Sequence, residues 1–133
     1  MGLKSLLFAG LLALAPAFAL AGPEGTYKVQ GSNPDGTTYT GLVQVTRNGE
    51  TYNVVWKIGD TEFVGTGLGA RFIGEKFQMG PASAEDSALS VGYISGRSFG
   101  MAMYFKQPDE TWLGVWTFGG SDKSAPEVWT PAK

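Results

Sequence analysis

The residues able to do chemistry in this chain are few, and their spacing is poor for it. Glu85-Asp86 and Asp109-Glu110 are adjacent carboxylate pairs. Two carboxylates that hydrolyse a bond must face one substrate, whereas neighbours in a strand or turn point to opposite sides. Both pairs fall in stretches that read as loops, where a solvated charge is the simpler expectation. The chain has no His and no Cys. That removes the usual general base, the soft metal ligands and the thiol nucleophile. Calcium needs several clustered oxygens, and no Asp-x-Asp run occurs. The stretch VGTGLGA (64–70) has the glycines of a phosphate cradle without the helix or the Lys, and reads as a kinked strand. These residues predict no enzyme, no cofactor and no metal.

The aromatic residues carry more information. Trp56, Trp112, Trp116 and Trp129 stand with Tyr27, Tyr39, Tyr52, Tyr93 and Tyr104. In a small barrel such side chains either fill the interior or line a pocket for one small ligand. A pocket would be bordered by Trp56, Trp112, Trp116, Tyr39 and Tyr52. Recognition by loops instead would draw on Arg97, Asp109 and Glu110. Ser98 to Lys106 (SFGMAMYFK) is apolar on both faces, so both are covered or one meets a partner, Met being adaptable at such surfaces.

The elements that must position these residues are strands. Asn33-Pro34-Asp35-Gly36 is a type I turn signature, with Pro presetting φ and Gly taking the left-handed place. Asn48-Gly49 is a favoured pair for a two-residue hairpin, in which both central residues need positive φ. Between the turns Tyr39, Gly41, Val43 and Val45 share a face, and after them Tyr52, Val54, Trp56 and Ile58 do so. Gly59-Asp60 turns the chain into a strand with Phe63, Gly65 and Gly67 on one face, and Phe72 to Met79 reads as a weaker, Gly-interrupted strand. A polar loop (81–87) leads to Leu89, Val91 and Tyr93 on one face of the next strand. Gln107 to Glu110 then turns the chain into Thr111 to Phe118, and Glu127 to Thr130 closes the series. No window keeps a helical apolar period.

About eight strands at short spacing predict an all-β, antiparallel up-and-down meander, closed into a small barrel because closure removes edge strands. Tyr39-Thr-Gly41, Phe63-Val-Gly65 and Trp112-Leu-Gly114 each place a Gly two residues after an aromatic. Those rings are expected to cover the backbone bends that the glycines allow.

Residues 1–21 read as a cleaved leader. Lys4 supplies the positive end, Leu6 to Leu14 is too short to span a bilayer, and Ala19-Leu20-Ala21 offers a cleavage site before Gly22. The protein is thus expected to be exported, periplasmic or secreted, with 22–133 as a single domain and no membrane insertion after cleavage. Losing Lys4 leaves nine basic against twelve acidic residues. That balance argues against nucleic acid, which needs clustered Lys and Arg. With no disulfide available, a core drawn from 43% hydrophobic and 13% aromatic residues must hold the fold alone.

The stretch GTYKVQGSNPDGTTYTGLVQVTRNGETYNVVWKIG, with LGVWTFGG and PEVWTP further on, resembles small exported α-proteobacterial proteins. In these a Gly-x-Tyr-x-Val start, an Asn-Pro-Asp/Asn-Gly turn, a Tyr-x-Gly-x-Val strand and a Glu-Val-x-Thr-Pro end recur. The likeness runs from Gly25 to Pro131. Such proteins are labelled fibronectin-binding-like or uncharacterised, and the resemblance implies a host matrix protein as partner. It carries over no binding residue, and no disulfide, since this chain lacks the cysteines found in some of them. In architecture alone the chain is similar to avidin-like and lipocalin-like barrels and to barrel-shaped periplasmic enzyme inhibitors. The expectation is an exported, non-catalytic binding protein of the cell envelope, a monomer or weak homodimer. A carrier of a small apolar or aromatic ligand is the alternative, and an enzyme inhibitor the third.

Overall fold

The structure, a computed structural model, describes residues 22–132, so the expected leader lies outside the described residues. Nine strands are described: β1 (Gly25–Ser32), β2 (Thr38–Asn48), β3 (Thr51–Ile58), β4 (Thr61–Ile73), β5 (Lys76–Gly80), β6 (Ala88–Ser95), β7 (Ser98–Lys106), β8 (Trp112–Phe118) and β9 (Ala125–Pro131). All pair antiparallel, with no helix among the described residues. The expected meander barrel is what the chain forms. β1 pairs with β9, which closes a ring of eight strands from which β5 alone is left out.

β5 extends β4. The first half of β4 pairs with β3, while its far end pairs with β5 from Gly69↔Gly80 to Ile73↔Lys76. Phe72 to Met79 is therefore not one interrupted strand but a hairpin about Gly74, and Phe72 and Phe77 stack across it at 4.0 Å.

The two-residue turns are of one kind. Asn48 pairs with Thr51, so the loop is Gly49-Glu50 and not Asn48-Gly49. Gly59-Asp60, Gly74-Glu75 and Gly96-Arg97 repeat the arrangement. In each the Gly has φ near 60° and the next residue does not. That is the type II′ turn, whose twist matches the flanking strands. The longer loops 33–37 and 107–111 also match each other. In both, an Asp Oδ1 accepts from the backbone N–H and hydroxyl of the Thr two residues on, at 3.0 and 2.6 Å.

Inward alternation buries Tyr27, Val29, Val43, Val45, Tyr52, Val54, Leu89, Val91 and Trp112. One barrel end is plugged by the loop 81–87. Asp86, expected to be a solvated charge, is 1% exposed there. Its Oδ2 accepts from the Tyr52 hydroxyl (2.6 Å) and the Ser83 N–H (3.0 Å), and Arg71 stands 3.7 Å from Oδ1. The Arg47 guanidinium donates to the Ala82 carbonyl and ties the plug to β2. Buried there, the carboxylate is held by these polar contacts and fixes the plug to β3 and β4.

Candidate functional site: an aromatic cup floored by Glu127

The other end of the barrel is open, and its geometry follows from one row of the sheet. Glu127 on β9 lies opposite Gly31 on β1 and Gly114 on β8. Gly31 lies in turn opposite Tyr39 on β2, and Gly114 opposite Tyr104 on β7. The row reads Tyr39, Gly31, Glu127, Gly114, Tyr104 across five neighbouring strands. A Cβ on either Gly would fall on the neighbouring tyrosine ring. With none there, both rings lie down along the wall and bring their hydroxyls to the carboxylate. Tyr93 lies over Gly100 in the same way. Gly114, expected to lie under Trp112 of its own strand, is thus covered by Tyr104 from the strand beside it.

Glu127 is 4% exposed and accepts four hydrogen bonds. Tyr39 donates to Oε2 at 2.5 Å. Oε1 accepts from Tyr104 (2.6 Å), from the Trp129 indole (2.7 Å) and from the Trp56 indole across the lumen (3.0 Å). All four partners act as donors, which is what an ionised carboxylate requires. Charge-assisted bonds of about 1.5–3 kcal/mol each offset the several kcal/mol that burying the ion costs. Among the described residues no Lys or Arg pairs with it. Burial, and then the Glu127 charge, hold the Tyr39 and Tyr104 hydroxyls well above the ordinary tyrosine range. The same two causes push Tyr93 up to about 12. The donors therefore stay protonated.

Above this floor is a cavity of about 180 Å³, walled by Tyr39, Trp56, Phe63, Tyr93, Tyr104 and Trp116, with Asn33, Ile58, Ala102 and Glu127 completing it. The rings meet edge to face: Trp56 with Tyr93 at 5.8 Å, Phe63 with Tyr93 at 5.9 Å, and Tyr39 with Trp116 at 6.3 Å. The buried Trp116 indole N–H has no hydrogen-bond partner. It lies close enough to the Tyr39 hydroxyl to favour its ionised form slightly, without bonding geometry.

Of the pocket residues expected from the sequence, Tyr39, Trp56 and Trp116 come together in the cup. Trp112 and Tyr52 belong to the closed half: Trp112 is 1% exposed, and Tyr52 is bound to Asp86. Arg97 sits in the exposed β6–β7 turn at the open end, whereas Asp109 and Glu110 lie in the β7–β8 loop at the other end. The Thr111 bonds hold the Asp109 carboxyl below its usual range, and Glu110 pairs with Lys106 at 3.1 Å. The three loop residues do not form one surface.

Sequence reasoning missed Glu127. Its signal was phase: it precedes Trp129 by two residues in PEVWTP and so shares that residue's inward face. An acid in step with a buried Trp is a buried acid. A comparison with protein-family models, with curated proteins and with solved structures finds no match to this chain, so function must be argued from the cup itself.

Proposed function

We propose that this chain is an exported, non-catalytic binding protein that holds a small molecule in the open half of its barrel. The observation that supports this is the row of glycines beside tyrosines. A barrel of eight strands can be filled by its own side chains, yet here three large rings lie back along the wall and leave a cavity between them. At about 180 Å³ the space lies below the ~300–1,000 Å³ of drug-sized sites, so the ligand is small. Glu127 is held in place by four donors, three of them on Oε1, which favours a fixed binding group over one that shuttles protons. Native mass spectrometry of the mature protein from its own host, beside a denatured sample, tests the proposal. A mass lost on denaturation is expected. A bare protein whose tryptophan fluorescence ignores a library of small amines, alcohols and aromatics would remove the support.

A second reading rests on the outside of the barrel. Of the exposed large apolar side chains, only Leu42 lies on β1–β3. Val64 and Leu68, Ile94, Phe99 to Phe105, and Leu113 and Val115 make one continuous wall over β4, β6, β7 and β8. With the β4–β5 hairpin it presents on the order of 1,000 Å² of apolar surface, above the ~300–600 Å² of a typical monomer and near the ~800 Å² per partner of a stable complex. We assign a second copy of the chain to this wall. Sedimentation equilibrium should give a dimer that Met101→Lys with Met103→Lys converts to monomer. A monomer at every concentration in the parent protein would exclude it.

A further inference from the structure

We propose that the cup selects small organic cations carrying a methylated ammonium group. This rests on the small-molecule function proposed above and goes further, to the class of ligand. Glu127 brings a negative charge into the barrel, and its four donors stabilise that charge without neutralising it. No Lys or Arg pairs with it among the described residues. A ligand in the cup therefore meets a negative field, felt more strongly there than in water. An anion is opposed by it, and a neutral molecule gains less from it than a cation does.

The walls choose among cations. Trp56 and Tyr93 meet at 64°, Phe63 and Tyr93 at 82°, and Tyr39 and Trp116 at 73°. Rings set nearly at right angles around one space present both faces and edges to it, the arrangement of an aromatic cage for a quaternary ammonium. A metal ion or a primary ammonium needs oxygen ligands of its own. The carboxylate's lone pairs are largely taken, with three donors on Oε1 and one on Oε2. A methylated ammonium needs none, because it is held by π faces and by the field.

At about 180 Å³, the volume of about six waters at ~30 Å³ each, the cup has room for a cation of amino-alcohol size.

The test compares choline with 3,3-dimethyl-1-butanol, which has the same shape with carbon in place of the charged nitrogen. Both are titrated into the mature protein by calorimetry and tryptophan fluorescence. Choline is expected to bind roughly tenfold or more tightly than the alcohol. In Glu127→Gln the ratio of choline affinity to alcohol affinity should fall toward one, whatever the change in absolute affinity. Should that variant fail to fold, the two ligands on the parent protein still decide the matter. Equal binding of choline and alcohol overturns the cation inference and leaves the small-molecule proposal standing. Binding of neither, with a bare mass in the native spectrum, removes both.

Discussion

Glu127 is where one side chain does most for this molecule. Glu127→Ala strands four donors inside the barrel, and at about 1–3 kcal/mol for each donor left without a partner, some rescued by water, the net loss is about 3–5 kcal/mol. Glu127→Gln keeps an acceptor for the indoles and should cost about half as much. It also removes the charge that is the second cause of the raised Tyr93 pKa, so Tyr93 should titrate below its parent value of about 12 but stay above 10, burial being the first cause. Urea denaturation reads the first effect, and an earlier onset of phenolate absorbance at alkaline pH than in the parent reads the second. A Glu127→Ala protein as stable as the parent would mean that the carboxylate is not the hub described. Glu110 offers the opposite case. It is the only non-Gly residue with positive φ (73°) among those described, and it occupies the place that Gly36 takes in the matching loop. Relief of about 1–2 kcal/mol of left-handed strain exceeds the extra chain entropy of Gly and the loss of an exposed ion pair with Lys106. Glu110→Gly should therefore stabilise by about 0.5–1 kcal/mol, read as a higher Tm; a lower Tm would show that the ion pair matters more than the backbone.

At the scale of strands, the cup depends on register. Gly114 and Gly92 are both strand glycines, but a Cβ at 114 strikes the Tyr104 ring and the Met103 carbonyl, while one at 92 meets nothing within 4 Å. Gly114→Ala should cost about 1–3 kcal/mol by overpacking and lift Tyr104 from Glu127, whereas Gly92→Ala should stay within about 0.5 kcal/mol of the parent. Equal effects in denaturant would mean that the tyrosine can move aside freely. This pair also shows what could be read beforehand. The alternation of Leu89, Val91 and Tyr93, or of Tyr52, Val54 and Trp56, is local, and it foretold their inward faces and the barrel. The partner of a glycine across the sheet is not local. Gly114 finds Tyr104 only once β7 and β8 are aligned, so Trp112, its aromatic neighbour in sequence, was the wrong ring. Asp86 was misread for the same reason, because its chief partner, Tyr52, lies 34 residues away. Glu127 could have been found, since its phase with Trp129 is written in the chain.

The whole molecule is asymmetric in two directions, plugged at one end and open at the other, apolar on one outer wall and largely polar on the opposite one. Neither disulfide nor metal cluster holds it together among the described residues, so it depends on the groups inside. All five tyrosines are among those groups, and each has its pKa raised, with burial as the first cause. Below pH 10 the folded and unfolded chains both keep these protons, and stability is fully present. Above pH 10 the unfolded chain loses them while the folded chain holds them. The folded state then binds more protons, and stability falls as pH rises. Tyr27, Tyr52 and Tyr104 are 5%, 1% and 1% exposed. Counting these three alone, the loss is about 4 kcal/mol for each pH unit above ~10. A domain with ~5–15 kcal/mol to lose should then unfold within a few pH units. Phenolate absorbance is thus expected to stay flat through pH 10 and well beyond, then to rise in one step together with the loss of near-ultraviolet circular dichroism. A gradual rise centred near pH 10 with the dichroism unchanged would show hydroxyls open to water, and a cup without the closed tyrosine–carboxylate floor on which its selectivity depends.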